Sequence, residues 1–107
     1  MLQFNTSQFS YRGKNRFDIT YKANSIFSPT KQIVYGYKYN NMSQKEYTKK
    51  YYELMRESYK NNFNDWQTVI KQPHLTFVCY CKKNDFCHRY VLKDILIKLG
   101  CEYLGEI

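Results

Sequence analysis

At 107 residues the chain has room for one hydrophobic core and not for two independently folded units. Its 17 Lys and Arg against 9 Asp and Glu give a net charge of +8, a field that admits nucleic acid, nucleotides and acidic proteins as partners. The 43% hydrophobic content excludes a disordered chain, and no apolar run approaches the ~20 residues that cross a bilayer.

Leu2 to Phe9 places apolar Leu2, Phe4 and Phe9 around Thr6 and Ser7 and reads as a first strand entering a polar turn. Tyr11 to Arg16 is a basic loop, and Phe17-Asp18-Ile19-Thr20-Tyr21 alternates as a second strand does. Ser28-Pro29 suits a helix start, Ser as the cap and Pro in the first turn, which predicts a helix over 29–38. Ile33-Val34-Tyr35-Gly36-Tyr37 also has strand propensity, so the local residues leave a strand open there.

Ser43-Gln44-Lys45-Glu46 fits a capping box, and Tyr47, Tyr51, Leu54, Met55 and Tyr59 fall on one face of the long helix that follows. Asn61 and Asn62 end it. Asp65 is expected to cap a short helix over 66–71, stopped by Pro73.

His74 to Cys81 is the clearest strand, apolar on both faces and therefore expected inside the sheet. Phe86 to Leu99 carries Val91, Leu92, Ile95, Leu96 and Leu99 on one stripe and ends at Gly100, a helix. The stretch 101–107 reads as a last strand, completing a strand-helix-strand unit.

Ligands of open α/β sheets sit beyond the carboxyl ends of strands, against helix N-termini. The turn from Cys81 to Cys87 is such a place, and it collects Cys79, Cys81, Cys87, His88, Arg89, Lys82 and Lys83. His88 and Arg89 lie in a first helical turn, where the dipole disfavours cations unless an anion lies nearby. Four cysteines, at 79, 81, 87 and 101, all in the last third, make a poor disulfide framework, so reduced thiols for packing, metal binding or chemistry are expected.

One reading is a phosphate or nucleotide pocket, with Arg89 as the fork, the helix amides beneath, and Lys82 or Lys83 adding charge. A second is catalytic: Cys87 as nucleophile at a helix start, activated by His88. Phosphatase chemistry needs a Cys-x5-Arg loop, whereas Cys81 and Arg89 are eight positions apart. Zinc on Cys79, Cys81, Cys87 and His88 has the right ligand types without the usual gaps, so no cofactor is expected and zinc is the lesser reading. Cys79 and Cys101 read more simply as core residues.

Several segments together resemble the family of unknown function numbered 488, in its short bacterial and phage form. Thr6-Ser7-Gln8-Phe9 and Phe27-Ser28-Pro29-Thr30-Lys31 resemble its opening and its first helix start. Tyr37 to Tyr47 resembles its interhelical loop, and Cys79-Tyr80-Cys81 with Asp85-Phe86-Cys87-His88-Arg89 resembles its signature. Residues 10–25 and 56–73 match poorly, and the family usually carries an acidic residue where Cys81 stands. The resemblance implies an α/β fold: a small, mostly parallel sheet of about four strands flanked by helices, with Rossmann-like layering. It also favours a helix over 29–38.

The leading expectation is a nucleotide-like or phosphorylated small molecule held between Thr6, Ser7, Arg12, Arg16, Lys82, Cys87, His88 and Arg89. A phage protein that sequesters a nucleotide signal suits the size, the charge and the excess of Lys, Asn and Tyr. The alternatives are a Cys-nucleophile hydrolase or transferase on a nucleotide-type substrate, and nucleic-acid binding through Lys and exposed Tyr. Met1-Leu2-Gln3-Phe4 shows no signal-peptide pattern, so a cytoplasmic location, the host's for a phage protein, with no membrane partner is expected.

Overall fold

The computed structural model describes residues 1–81 and 85–107. Four strands, β1 (Gln3–Gln8), β2 (Arg16–Asp18), β3 (His74–Cys79) and β4 (Glu102–Glu106), form one sheet in the order β2-β3-β1-β4. Every pairing is parallel. Helices α1 (Lys31–Tyr39), α2 (Gln44–Asn61), α3 (Phe63–Ile70) and α4 (His88–Lys98) complete an α/β fold with Rossmann-like layering. No helix among the described residues is long and apolar enough to cross a membrane.

β3 lies inside the sheet, as its composition predicts, with Thr76, Phe77, Val78 and Cys79 all buried. Leu2, just before β1, and Phe4, Thr6 and Ser7 within it are buried, while Gln3 is exposed. Phe77 packs edge-on against Phe4 and Phe27, and Phe27 against Trp66, making the aromatic centre of the core. Burial of one such ring contributes about 1.5–3 kcal/mol. Tyr51, fully buried, keeps its hydroxyl satisfied by donating to the Phe27 carbonyl at 2.7 Å.

The first helix begins two residues later than its sequence suggests. Ser28 is not its cap, because the Ser28 hydroxyl donates to the Thr20 carbonyl at 2.6 Å and accepts from Ser25 N–H, pinning the preceding loop. Thr30 caps instead, its hydroxyl accepting from Ile33 N–H. Ser43 caps α2 as expected, accepting from Glu46 N–H at 3.0 Å. Asp65 does not cap α3; it falls in the first turn of a helix that starts at Phe63, with Asn62 before it. The second strand is shorter than expected, since Asp18 turns back to accept from Thr20 N–H and a 3₁₀ turn follows over Tyr21–Ala23.

β4 contains an irregularity that shapes the site. Phe4 pairs with Tyr103, but Asn5 pairs with Gly105 and Thr6 with Glu106. The extra residue puts Tyr103 and Glu106, three apart and so on opposite faces of a regular strand, beside Phe4 and Thr6 on one face. Gly105 supplies the required backbone at φ +109. Gly100, at φ +98, ends α4, with the following Cys101 N–H donating to the Leu96 carbonyl.

Candidate functional site

Beyond the carboxyl end of β3, where α4 begins, lies a cleft of about 710 Å³. Cys79, Cys81, Cys87 and His88 line it from the strand-to-helix turn, Thr20 and Tyr21 from the segment after β2, and Lys38 from α1. Tyr37, Tyr47 and Phe86 form a wall of mutually packed rings, with centroids 5.1–5.5 Å apart. Thr20 is 2% exposed, and its hydroxyl has no hydrogen-bond partner among the described residues. An unmatched buried hydroxyl costs about 1–3 kcal/mol.

The cleft is floored by sulfur. The Sγ atoms of Cys79, Cys81 and Cys87 lie within 4.8 Å of one another, with Cys79 and Cys87 buried and Cys81 half-buried. The neighbouring Cys79 and Cys87 thiols, aided by the Arg89 and Lys38 charges against the cost of burial, hold the Cys81 thiol down at about 3. Burial and the same two neighbours push Cys87 up. The thiolate is therefore expressed at Cys81, the most accessible of the three sulfurs.

His88 is buried, and its Nε2 lies 2.6 Å from the Ile19 carbonyl. A carbonyl only accepts, so Nε2 carries the proton, and Nδ1 faces Cys87 Sγ at 3.7 Å as an acceptor. Burial keeps this imidazole neutral by lowering its pKa.

Arg89, fully buried, answers the sequence's puzzle of two cations in one first turn. Its Nε and Nη2 donate to the two Glu106 carboxylate oxygens at 3.3 and 2.8 Å, while Nη1 donates to Cys79 Sγ and the Cys81 carbonyl, both at 2.9 Å. Tyr90 donates to the same carboxylate at 2.9 Å. Burial alone would raise Glu106, but hydrogen bonds from Arg89, Thr6 and Tyr90 outweigh it and hold the carboxyl below its ordinary value. The anion that permits Arg89 at this helix start is the chain's own, and His88 is not a cation at all.

The residues expected to share one pocket are divided by the fold. Cys87 and His88 line the cleft. Arg89 lies behind it, committed to Glu106, and is not placed as an open fork for a ligand phosphate. Thr6 is buried with its hydroxyl 2.7 Å from that of Tyr103, and Ser7 is buried near the Ile107 carbonyl; neither lines the cleft. Arg12 is exposed on its loop. Arg16 folds that loop, donating to the Tyr11 and Phe9 carbonyls with its guanidinium 4.3 Å from the Phe9 ring. Lys82, with Lys83, lies outside the described residues.

As the nucleophile expected at the helix start, Cys87 is buried and protonated, and the accessible thiolate is at Cys81. Zinc on all four expected ligands does not match the placement of His88, whose imidazole stands behind Cys87 and is bonded to Ile19. Sequence reasoning missed Thr20 and Glu106. Gly105 next to Glu106 was the one signal for the latter, as a residue suited to a bulge.

A family model, DUF488-N3a, described as the active DUF488-N3 subclade, matches residues 4–100. That span includes the stretches 10–25 and 56–73, where the individual residues resemble the family least. No match was found among curated proteins or among solved structures.

Proposed function

The chain belongs to the DUF488 family, and from that premise we propose that its cleft binds a nucleotide-like small molecule. The observation that carries this reading is the pairing of an unmatched buried Thr20 hydroxyl with a wall of aromatic rings in one cleft. A flat heterocycle packs against Tyr37, Tyr47 and Phe86, and one of its polar edge atoms meets Thr20. Lys38 and the amides at the start of α4 favour an anionic group on the same molecule. This assignment moves the anion contact from Arg89 to Lys38 and the helix start. A volume of about 710 Å³ suits a mononucleotide better than a small ion.

Thermal-shift screening against nucleoside mono- and diphosphates and cyclic nucleotides, followed by calorimetry on the best ligand, tests the reading. Thr20→Val keeps the shape and removes the hydroxyl, and it should weaken binding by about tenfold, the equivalent of one hydrogen bond to a buried group. A chain that gains no thermal stability from any of these nucleotides at millimolar concentration does not have this function. Equal binding by Thr20→Val removes the observation on which the reading rests.

A further inference from the structure

Cys79 is two positions from Cys81 and eight from Cys87, a spacing unlike that of familiar metal sites. The fold overrides it. Cys79 ends β3, Cys81 follows on the exit turn, and Cys87 is the residue just before α4, so the strand end and the helix start bring three sulfurs together. Cys101, the fourth thiol, is buried next to the amino end of β4, away from this convergence. Core packing alone asks for small apolar groups of the right shape, and it gives no reason for three sulfurs to meet at the floor of an open cleft.

We propose that Cys79, Cys81 and Cys87 form a three-thiolate site for a soft divalent cation, zinc, whose fourth coordination position faces the cleft. Tetrahedral zinc with Zn–S bonds of about 2.3 Å sets its sulfurs about 3.8 Å apart. The separations here, all within 4.8 Å, require closure by about 1 Å at most, which side-chain torsions supply. Thiolate sulfur selects soft metals over magnesium or calcium.

The groups around the sulfurs are those that orient metal ligands. Arg89 donates to Cys79 Sγ and to the Cys81 carbonyl, fixing both ends of the Cys79-Tyr80-Cys81 turn, and Glu106 fixes Arg89. On binding, the remaining S–H protons leave to solvent as three Zn–S bonds form, and no electron is transferred. The proposal stands apart from the nucleotide reading: the cluster can hold zinc whether or not the aromatic wall holds a base.

The test uses the full chain, reduced with a phosphine, stripped with a chelator under nitrogen, and titrated with zinc(II) against a colorimetric chelator and separately with cobalt(II). The expected results are one zinc per chain and a cobalt spectrum with thiolate charge-transfer bands and intense tetrahedral d–d bands. Cys81→Ser, at a half-buried position, should weaken zinc binding by more than about tenfold, while Cys101→Ser leaves it unchanged. In the wild-type chain, zinc should protect the three cluster thiols from a disulfide reagent, a readout that does not depend on any variant folding. Zinc binding no tighter in wild type than in Cys81→Ser, a cobalt spectrum without charge transfer, or unchanged thiol reactivity would each overturn the site.

Discussion

Glu106 decides what Arg89 can do. A guanidinium with no exposed surface carries a large desolvation cost, and the bidentate pair with Glu106, whose side chain is 11% exposed, is what offsets it. Glu106→Gln removes the charge and keeps the shape, so it should lower unfolding stability by about 3 kcal/mol in urea denaturation, because Arg89 is left buried without its counter-charge. The same residue gives a pH dependence. Its folded pKa lies below the unfolded carboxylate value of about 4.3, so its stabilisation is complete above that value and is lost as pH falls through the lower folded one. Wild type should therefore lose stability on this acid limb faster than Glu106→Gln, as measured by parallel urea midpoints. Among the thiols, Cys81 alone in the cluster has accessible surface, and in metal-free protein iodoacetamide at neutral pH should modify it well before Cys79 or Cys87. Peptide mapping that finds Cys87 labelled first would contradict that order.

At the scale of elements, the parts of the fold visible in the sequence are those fixed by near neighbours. The apolar run that starts at His74, expected to reach Cys81 and ending as a strand at Cys79, the stripe along α4 and the Ser43 cap all depend on residues within a turn or two, and all three are present. Ser28 and Glu106 were unreadable because their partners, Thr20 and Arg89, are brought to them by the tertiary fold. The site was half legible for the same reason. Its thiols and His88 form one sequence cluster, whereas Thr20 enters from the end of β2, the strand beside β3, and the contributions expected of Thr6, Ser7 and Arg16 go to local packing. The bulge in β4 makes a separate prediction. A Cβ on Gly105 meets nothing within 4 Å, so any loss in Gly105→Ala comes from the backbone at φ +109 and not from a clash. That loss should be about 1–3 kcal/mol in chemical denaturation, and a neutral result would mean that the strand tolerates a regular register there.

For the molecule as a whole, the +8 charge and the cleft act over different distances. Surface lysines attract any polyanion, and such binding should fall by about tenfold or more between roughly 50 and 200 mM salt. A mononucleotide held by an aromatic wall, Thr20 and Lys38, the one lysine lining the cleft among the described residues, makes few ionic contacts, and its affinity should change by less than about threefold over that range. Titrations of a labelled oligonucleotide and of the best nucleotide ligand at the two salt concentrations separate these behaviours. Equal steepness would place the ligand on the lysine surface and not in the cleft.

The strand order β2-β3-β1-β4 also has a consequence in time. β1 is synthesised before the two strands that flank it, and its nearer partner in sequence, β3, starts at residue 74. At about 5–20 residues per second, the ribosome leaves this strand without either neighbour for several seconds, with both rows of amides and carbonyls open. A nascent chain halted before residue 74 has no native partner for β1 and is the form most exposed to aggregation or chaperone capture. Once β3 and β4 have emerged, the strand that waited longest becomes one of the two that hold the sheet together from within.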